Sequence, residues 1–324
     1  MNDLGRTADG TPVGRLGLGC FSYGAPDRAQ SIEAIRRAID LGVNLLDTSD
    51  AYGAGENERM VGEAIAGRRQ RVYLTTKFGW VLDADGKPTH LDASPKHVRE
   101  SCEASLRRLG TDYIDLYLAH RIDPGVPIEE TVGELSRLIK EGKIGAYGLS
   151  EAGAHTIVRA HRTTPMAALQ TEYSLWSRDP ELQLLPLCAR LGIAFIAYSP
   201  LGRGFLAGAV RADRDMRPDD FRRTHPRFQG SNLEHNRELV DGLSRLADNM
   251  GRTPAQLALA WLLSRPGHVY AIPGTRKLAH LEDNVVAAAM ILTPAQLQSI
   301  GNAVSPERVR GERHPAEHMK TIGR

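Results

Sequence analysis

Eight short β-rich runs, each followed by a longer stretch of helical period, constrain the fold of this chain more than any other feature. They are Arg15 to Cys20, Asn44 to Asp47, Val72 to Lys77, Ile114 to Leu118, Ala146 to Leu149, Ala167 to Gln170, Ile193 to Tyr198 and Val269 to Ile272. Repeated βα units build a parallel sheet, and eight is the number that closes a barrel. The expected fold is therefore α/β, a (β/α)8 TIM barrel. Barrels routinely exceed 250 residues as one unit, so a single domain over residues 1–324 is expected.

The helical stretches carry their own punctuation. Ser94 reads as an N-cap with Pro95 at the first helical position, Val98, Cys102, Leu106 and Leu109 on one face, and Gly110 as the stop. Ile32, Ile35, Ala38 and Ile39 form a similar stripe. Thr253 to Gln256 and Thr293 to Gln296 both read as capping boxes, the second opening an additional C-terminal helix beyond the last strand. Turn residues around Ala8, Asp9, Gly10 and Thr11 suggest an N-terminal hairpin closing the barrel floor. Residues 202–236 lack clear periodicity and follow the seventh strand, on the face where ligand-covering loops occur, which suggests a lid.

Composition narrows the partners. The 41 basic and 39 acidic residues leave a formal charge of +2 with no charged blocks, which gives no footprint for nucleic acid or membrane and points to a small-molecule partner. Cys20, Cys102 and Cys188 are odd in number, far apart and without metal-ligand spacing, as reduced thiols in a cytoplasm would be, and no metal is expected. The N-terminus lacks a basic-then-apolar signal region, and no run approaches the length of a membrane helix. A cytoplasmic location is expected; a homo-oligomer stays open.

Asp47, Tyr52, Lys77 and His120 each lie at or just beyond the C-terminal end of one of these runs, where barrel enzymes keep their chemistry. Carbonyl reduction needs a hydride donor above the carbon and an acid beside the oxygen, where negative charge grows. Tyr52 is the candidate acid. A free phenol titrates near 10, so Lys77 would supply the cation favouring the phenolate, and Asp47 would hold Lys77. His120 would orient the carbonyl oxygen or pass the proton. Gly17 to Cys20 lacks the helix-opening glycine of a Rossmann turn.

In this order and setting the four residues resemble the Asp, Tyr, Lys and His tetrad of the aldo-keto reductases. The likeness runs from about Leu16 to Arg313 and is densest at Gly148-Leu149-Ser150-Glu151-Ala152, Thr171-Glu172-Tyr173-Ser174-Leu175-Trp176, Tyr198-Ser199-Pro200-Leu201-Gly202-Arg203-Gly204-Phe205-Leu206 and Ile272-Pro273-Gly274-Thr275-Arg276. It implies NADPH lying across the barrel mouth. Ser150 and Gln170 would hold the nicotinamide amide and Tyr198 its ring. Gly19, Cys20, Phe21, Ser199, Pro200, Leu201, Gly202, Arg203 and Gly204 would line the rest of its path. Gly274, Thr275, Arg276, His280, Asp283 and Asn284 would take the adenosine 2'-phosphate and adenine. Glu151 stands where the family often has Asn, which puts one amide contact in question. Trp80, Arg121, Tyr173 and Trp176 are the expected substrate walls, with Phe21 and residues of the 202–236 loop. The resemblance implies NADPH-dependent reduction of aldehydes or ketones; an NADP(H)-binding regulatory subunit is the alternative.

Overall fold

The computed structural model describes residues 3–23 and 27–324; Met1 and Asn2, where the N-terminal segment begins, lie outside it. Among the described residues, ten strands form two sheets. The barrel strands are β1 (Gly17–Gly19), β2 (Leu45–Asp47), β3 (Tyr73–Phe78), β6 (Ile114–Ala119), β7 (Ile144–Ser150), β8 (Ala168–Glu172), β9 (Ala194–Tyr198) and β10 (Val269–Ile272). They pair in that order and all in parallel. Closure comes from a parallel bridge between Leu16 and Ala271, with the Ala271 N–H donating to the Arg15 carbonyl at 2.9 Å. All eight expected runs are strands of this barrel.

Side chains alternate along a strand with period two, so one set faces the axis and the other the helices. Leu45, Tyr73, Leu116, Leu118, Ala168, Ala194, Ile196, Tyr270 and Ile272 fill the axis, and Leu4 and Val13 plug it from below. The plug is the expected N-terminal hairpin: Arg6 and Pro12 form an antiparallel bridge, and the Leu4 N–H donates to Tyr270 Oη at 2.9 Å. A larger apolar layer between strands and helices includes Ile35, Val61, Val98, Leu135, Ile157, Leu243 and Leu259. Each such side chain contributes about 1.5–3 kcal/mol of transfer free energy.

Helix ends follow their sequence signals. The Ser94 hydroxyl accepts from the His97 N–H at 3.3 Å, and Gly110 closes that helix at φ 63°. Thr253 and Thr293 each complete a reciprocal capping box with Gln256 and Gln296. Two elements went unanticipated. A hairpin of β4 (Trp80–Leu82) and β5 (Pro88–Leu91) follows β3. The segment 202–236 gives way to the helix Gly230–Asn249 for its last seven positions. Its core-facing Asn236 interrupts the apolar stripe, and that amide is satisfied instead by the Arg227 and Arg310 carbonyls and the Arg310 N–H. Among the described residues no helix is long and apolar enough to cross a membrane.

Candidate active site

The two-residue alternation that fills the barrel axis also places the polar site. One step above Leu45 stands Asp47; above Tyr73 come Thr75 and Lys77; above Leu118, His120; above Ala168, Gln170; above Ile196, Tyr198. These six polar side chains therefore converge at the C-terminal mouth. Tyr52 reaches it from the short turn Tyr52–Gly55, where Gly53, Ala54 and Gly55 have φ of 56°, 51° and 87°. Only a left-handed turn of this kind brings the chain back to start the helix Glu56–Ile65, and glycine serves it at least cost.

Asp47, Lys77 and Tyr52 form one hydrogen-bonded chain. Lys77 Nζ donates to Asp47 Oδ2 at 2.6 Å, to the Thr48 carbonyl at 2.7 Å and to Tyr52 Oη at 3.4 Å. Burial works against the Lys77 charge, yet Asp47 and Tyr52 outweigh it and hold the ammonium above its ordinary value. Burial likewise raises the Tyr52 phenol, with Lys77 pulling the other way, so the hydroxyl keeps its proton at neutral pH. His120 closes the constellation, its ring 5.7 Å from that of Tyr52. Burial, with Arg121 and Lys77 nearby, holds its pKa well below the ordinary value, and the imidazole is neutral.

Several expected cofactor residues are engaged within the protein. Gln170 Nε2 donates to Asp47 Oδ1 at 2.7 Å, beside a 2.8 Å bond from Thr75 Oγ1, which leaves the Gln170 amide oxygen for another partner. Ser150 is buried, its hydroxyl 3.5 Å from Arg121 Nη1. Arg203 is bound instead to buried Glu172 at 2.8 Å, so its guanidinium is already neutralised. Cys20 is buried in the core, and its backbone carbonyl accepts from Asn57 Nδ2 at 2.7 Å. A Cβ on Gly19 would sit 2.7 Å from the Ile272 carbonyl oxygen, and one on Gly274 2.8 Å from the Gly19 carbonyl oxygen. Ser199, Pro200, Leu201, Gly202 and Gly204 form a tight turn, with the Gly202 N–H donating to the Ser199 carbonyl at 2.9 Å and Gly202 pressed on the Trp176 ring. Arg276 is exposed and pairs with Asp27 at 2.6 Å; Thr275 accepts the Tyr23 hydroxyl at its carbonyl. His280 is exposed, Asp283 accepts from Gln256 at 3.2 Å, and Asn284 is buried on the same helix.

Glu151 has a different role from the Asn it replaces. Arg313 grips its carboxylate bidentately at 2.8 Å to each oxygen, Tyr198 Oη donates to it at 2.7 Å, and the Glu172 N–H at 3.0 Å. The last residues are tied alongside, the Gly153 N–H donating to the Arg324 carbonyl at 2.7 Å and the Gly323 N–H to that of Glu151 at 2.9 Å. Glu172, at the next strand end, is held down to about 2: burial opposes its charge, but Arg203, Arg313 and Arg227 more than compensate. Nothing local in the sequence announces this cluster, because Arg313 lies 162 positions from Glu151.

The substrate walls need correction. Tyr173 is fully buried against Phe195 and Trp261 and donates its hydroxyl to Glu181 at 2.7 Å. Trp176 is buried between Phe205 and Phe228. Both are packing residues beneath the mouth. What borders Tyr52 is Phe21, edge-on at 5.0 Å, with Phe221 of the 202–236 segment 5.9 Å beyond it. Trp80 is half-buried on β4. Arg121 anchors one nitrogen on the His120 carbonyl at 2.6 Å, and among the described residues it makes no ion pair with a carboxylate.

Known proteins share this arrangement of chain. Residues 15–304 match the aldo/keto reductase family. A probable aldo-keto reductase 1 of Glycine max is 43% identical over 312 residues, spanning 94% of this chain and 89% of that protein. The structure of a glycerol dehydrogenase from Gluconobacter oxydans superposes with a TM-score of 0.84 at 31% identity, covering 91% of this chain and 94% of that one. An aldo/keto reductase from Klebsiella pneumoniae, solved with NADP and acetate, gives 0.74 at 30% identity, over 97% and 99% of the two chains. With its barrel and its full-length likeness to these proteins, the chain belongs to the aldo/keto reductase family of oxidoreductases.

Proposed function

We propose that this protein reduces aldehydes or ketones to alcohols with NADPH, with Tyr52 as the general acid. The observation that carries this reading is the buried Asp47–Lys77–Tyr52 chain opposite a neutral His120. The mouth also fits a nicotinamide dinucleotide. Ser150 and the Gln170 amide oxygen can serve a carboxamide, Tyr198 offers a ring face, and exposed Arg276 suits a phosphate.

When bound, the nicotinamide supplies the hydride. The side chains supply the rest. Tyr52 donates its proton to the carbonyl oxygen as negative charge develops there, and the Lys77 ammonium stabilises the phenolate left behind. Asp47 fixes Lys77 in place, and Thr75 and Gln170 fix Asp47. His120 orients the carbonyl oxygen, and Phe21 with Phe221 screens the acid from bulk water. The Arg121 guanidinium, which makes no ion pair with a carboxylate among the described residues, adds attraction for carbonyl compounds that carry a carboxylate.

A panel of aromatic, aliphatic and carboxylate-bearing aldehydes, followed by loss of NADPH absorbance, tests the reading. Turnover on part of the panel is expected. Tight NADPH binding with no turnover on any member would favour the regulatory-subunit alternative.

For the cofactor, Arg276→Ala should weaken NADPH binding by about 1.5–3 kcal/mol, the worth of a charge-assisted hydrogen bond, and leave NADH nearly unchanged. Asp27 competes for the same guanidinium through an exposed ion pair worth little, so Asp27→Asn should tighten NADPH only a few-fold. Fluorescence titration with both nucleotides measures each effect. Equal weakening of NADPH and NADH by Arg276→Ala would place Arg276 away from the 2'-phosphate.

A further inference from the structure

Ser49 lies between the turn that carries Tyr52 and the ring of His120. Its hydroxyl is 3.1 Å from His120 Nδ1 and 3.2 Å from Asp50 Oδ1, and it accepts from the Ala51 N–H at 3.2 Å. Ser49 is fully buried, so no competing solvent contact settles the direction of its single proton. The other ring nitrogen of His120, Nε2, has no hydrogen-bond partner among the described residues.

A serine hydroxyl has one hydrogen and two lone pairs, and one lone pair is taken by Ala51. Two complete arrangements remain. If Ser49 donates to His120 Nδ1, then the neutral ring carries its hydrogen on Nε2, and Asp50 satisfies the second lone pair only by being protonated and donating to it. If Asp50 is ionised, Ser49 donates to Asp50 and accepts from Nδ1–H, and Nε2 is left as a bare acceptor. The first arrangement presents a donor to a carbonyl oxygen; the second presents an acceptor to an alcohol hydroxyl.

We propose that Ser49 is a positioning residue that sets which nitrogen of His120 carries the proton, and that the protonation of Asp50 decides the direction in which Ser49 points. The proposal rests on the carbonyl-reduction reading only for its consequence in turnover; the tautomer itself is a property of the resting protein.

The surroundings of Asp50 give the switch a useful range. Burial and the neighbouring Glu58 of the helix Glu56–Ile65 push its carboxyl up to about 7, against the Ser49 hydrogen bond and Arg108 of the helix Pro95–Leu109. Arg108 is itself held by Glu58 at 2.6 Å. From β6, Tyr117 contributes a neutral, buried hydroxyl that has no hydrogen-bond partner among the described residues. From β3, the Lys77 carbonyl accepts the Asp50 N–H at 3.3 Å while its ammonium is turned to Asp47. His120 stays neutral throughout this range, so a change there is a change of tautomer and not of charge.

The test is nitrogen-15 NMR of protein labelled at histidine, with His120 identified by its loss in His120→Gln, recorded from pH 6 to 8.5. In the wild type the Nε2–H form should dominate at the acid end and Nδ1–H at the alkaline end. Asp50→Asn cannot titrate and should hold one tautomer across the range. Ser49→Ala should lose the pH response, and Ser49→Thr, which keeps the hydroxyl, should restore it. The same variants in NADPH-linked reduction should show kcat lowered about 10- to 100-fold in Ser49→Ala, with KM changed much less, because orientation of an acid–base partner is felt mainly in the transition state. The wild-type decline in reduction across pH 7 should be absent in Asp50→Asn. A wild-type His120 that keeps one tautomer from pH 6 to 8.5, or a Ser49→Ala protein with the wild-type pH response, would overturn the proposal. The NMR result stands whether or not any substrate is turned over, so it separates this proposal from the reductase reading.

Discussion

Tyr52→Phe should lower carbonyl reduction by about 10²–10⁴-fold, the usual worth of a positioned general acid, with NADPH affinity nearly unchanged. The substitution removes one oxygen and little else. Lys77 keeps its bonds to Asp47 at 2.6 Å and to the Thr48 carbonyl at 2.7 Å, so its ammonium is not left unpaired in a buried site. The Tyr52 ring also keeps its edge contacts with Phe21 and His120. A loss confined to kcat, with fluorescence titration giving the wild-type Kd for NADPH, is the expected pattern. Turnover within a few-fold of the wild type would remove Tyr52 from the acid's role.

The second large effect falls on stability. Arg313→Ala should destabilise the protein by about 3–5 kcal/mol, because it strands the Glu151 carboxylate in a buried site where, among the described residues, the Tyr198 hydroxyl and the Glu172 N–H are its remaining hydrogen-bond donors. Urea unfolding measures the global part. Hydrogen exchange at Gly153 and Gly323 measures the local part, since both amides pair across to the C-terminal residues or to Glu151. Protection there unchanged by Arg313→Ala would mean that the tail is held by something other than this ion pair.

The same cluster gives the protein a defined response to acid. Glu172 titrates at about 2 in the folded state, below its ordinary value, so it contributes stability above the ordinary carboxylate range that is lost as pH falls toward 2. His314 beside it is held down to about 3, chiefly by burial, and stays neutral in the fold. An unfolded chain protonates that imidazole below about 6.5, so His314 begins to favour unfolding as pH drops from 6.5. Both groups act in one direction. His314→Gln should therefore flatten the upper part of the acid-stability curve, between about pH 6 and 4, and leave the lower part to Glu172.

The barrel is legible in the sequence because each strand is a short apolar run bounded by turn or cap residues, and period-two alternation carries the candidate site positions one or two steps beyond the last inward apolar residue. Asp47, Lys77 and His120 were legible for that reason. The β4–β5 hairpin was not, since Pro88-Thr89-His90 is mostly exposed and its pairing depends on the turn from Asp83 to Lys87, where Gly86 has φ 76°. The start of the helix Gly230–Asn249 was hidden by Asn236, a polar residue at a core position. Where side chains have partners within the fold that the sequence does not show, the partner is remote or packed from another layer: the Gln170 Nε2 meets Asp47 123 positions away, Arg203 meets Glu172, and Tyr173 and Trp176 are engaged in aromatic packing. Ser49 stood in plain view between Asp47 and Tyr52, but only the approach of His120 gives it a role.

The most direct test of hydride transfer at this mouth uses NADPH carrying deuterium at both hydrogens of the nicotinamide C4, incubated with the protein and an accepted aldehyde. One deuterium is expected on the carbinol carbon of the product alcohol, with at least about 100-fold less labelled product from Tyr52→Phe over the same time. Alcohol formed without deuterium, or label transferred equally well by Tyr52→Phe, would contradict it.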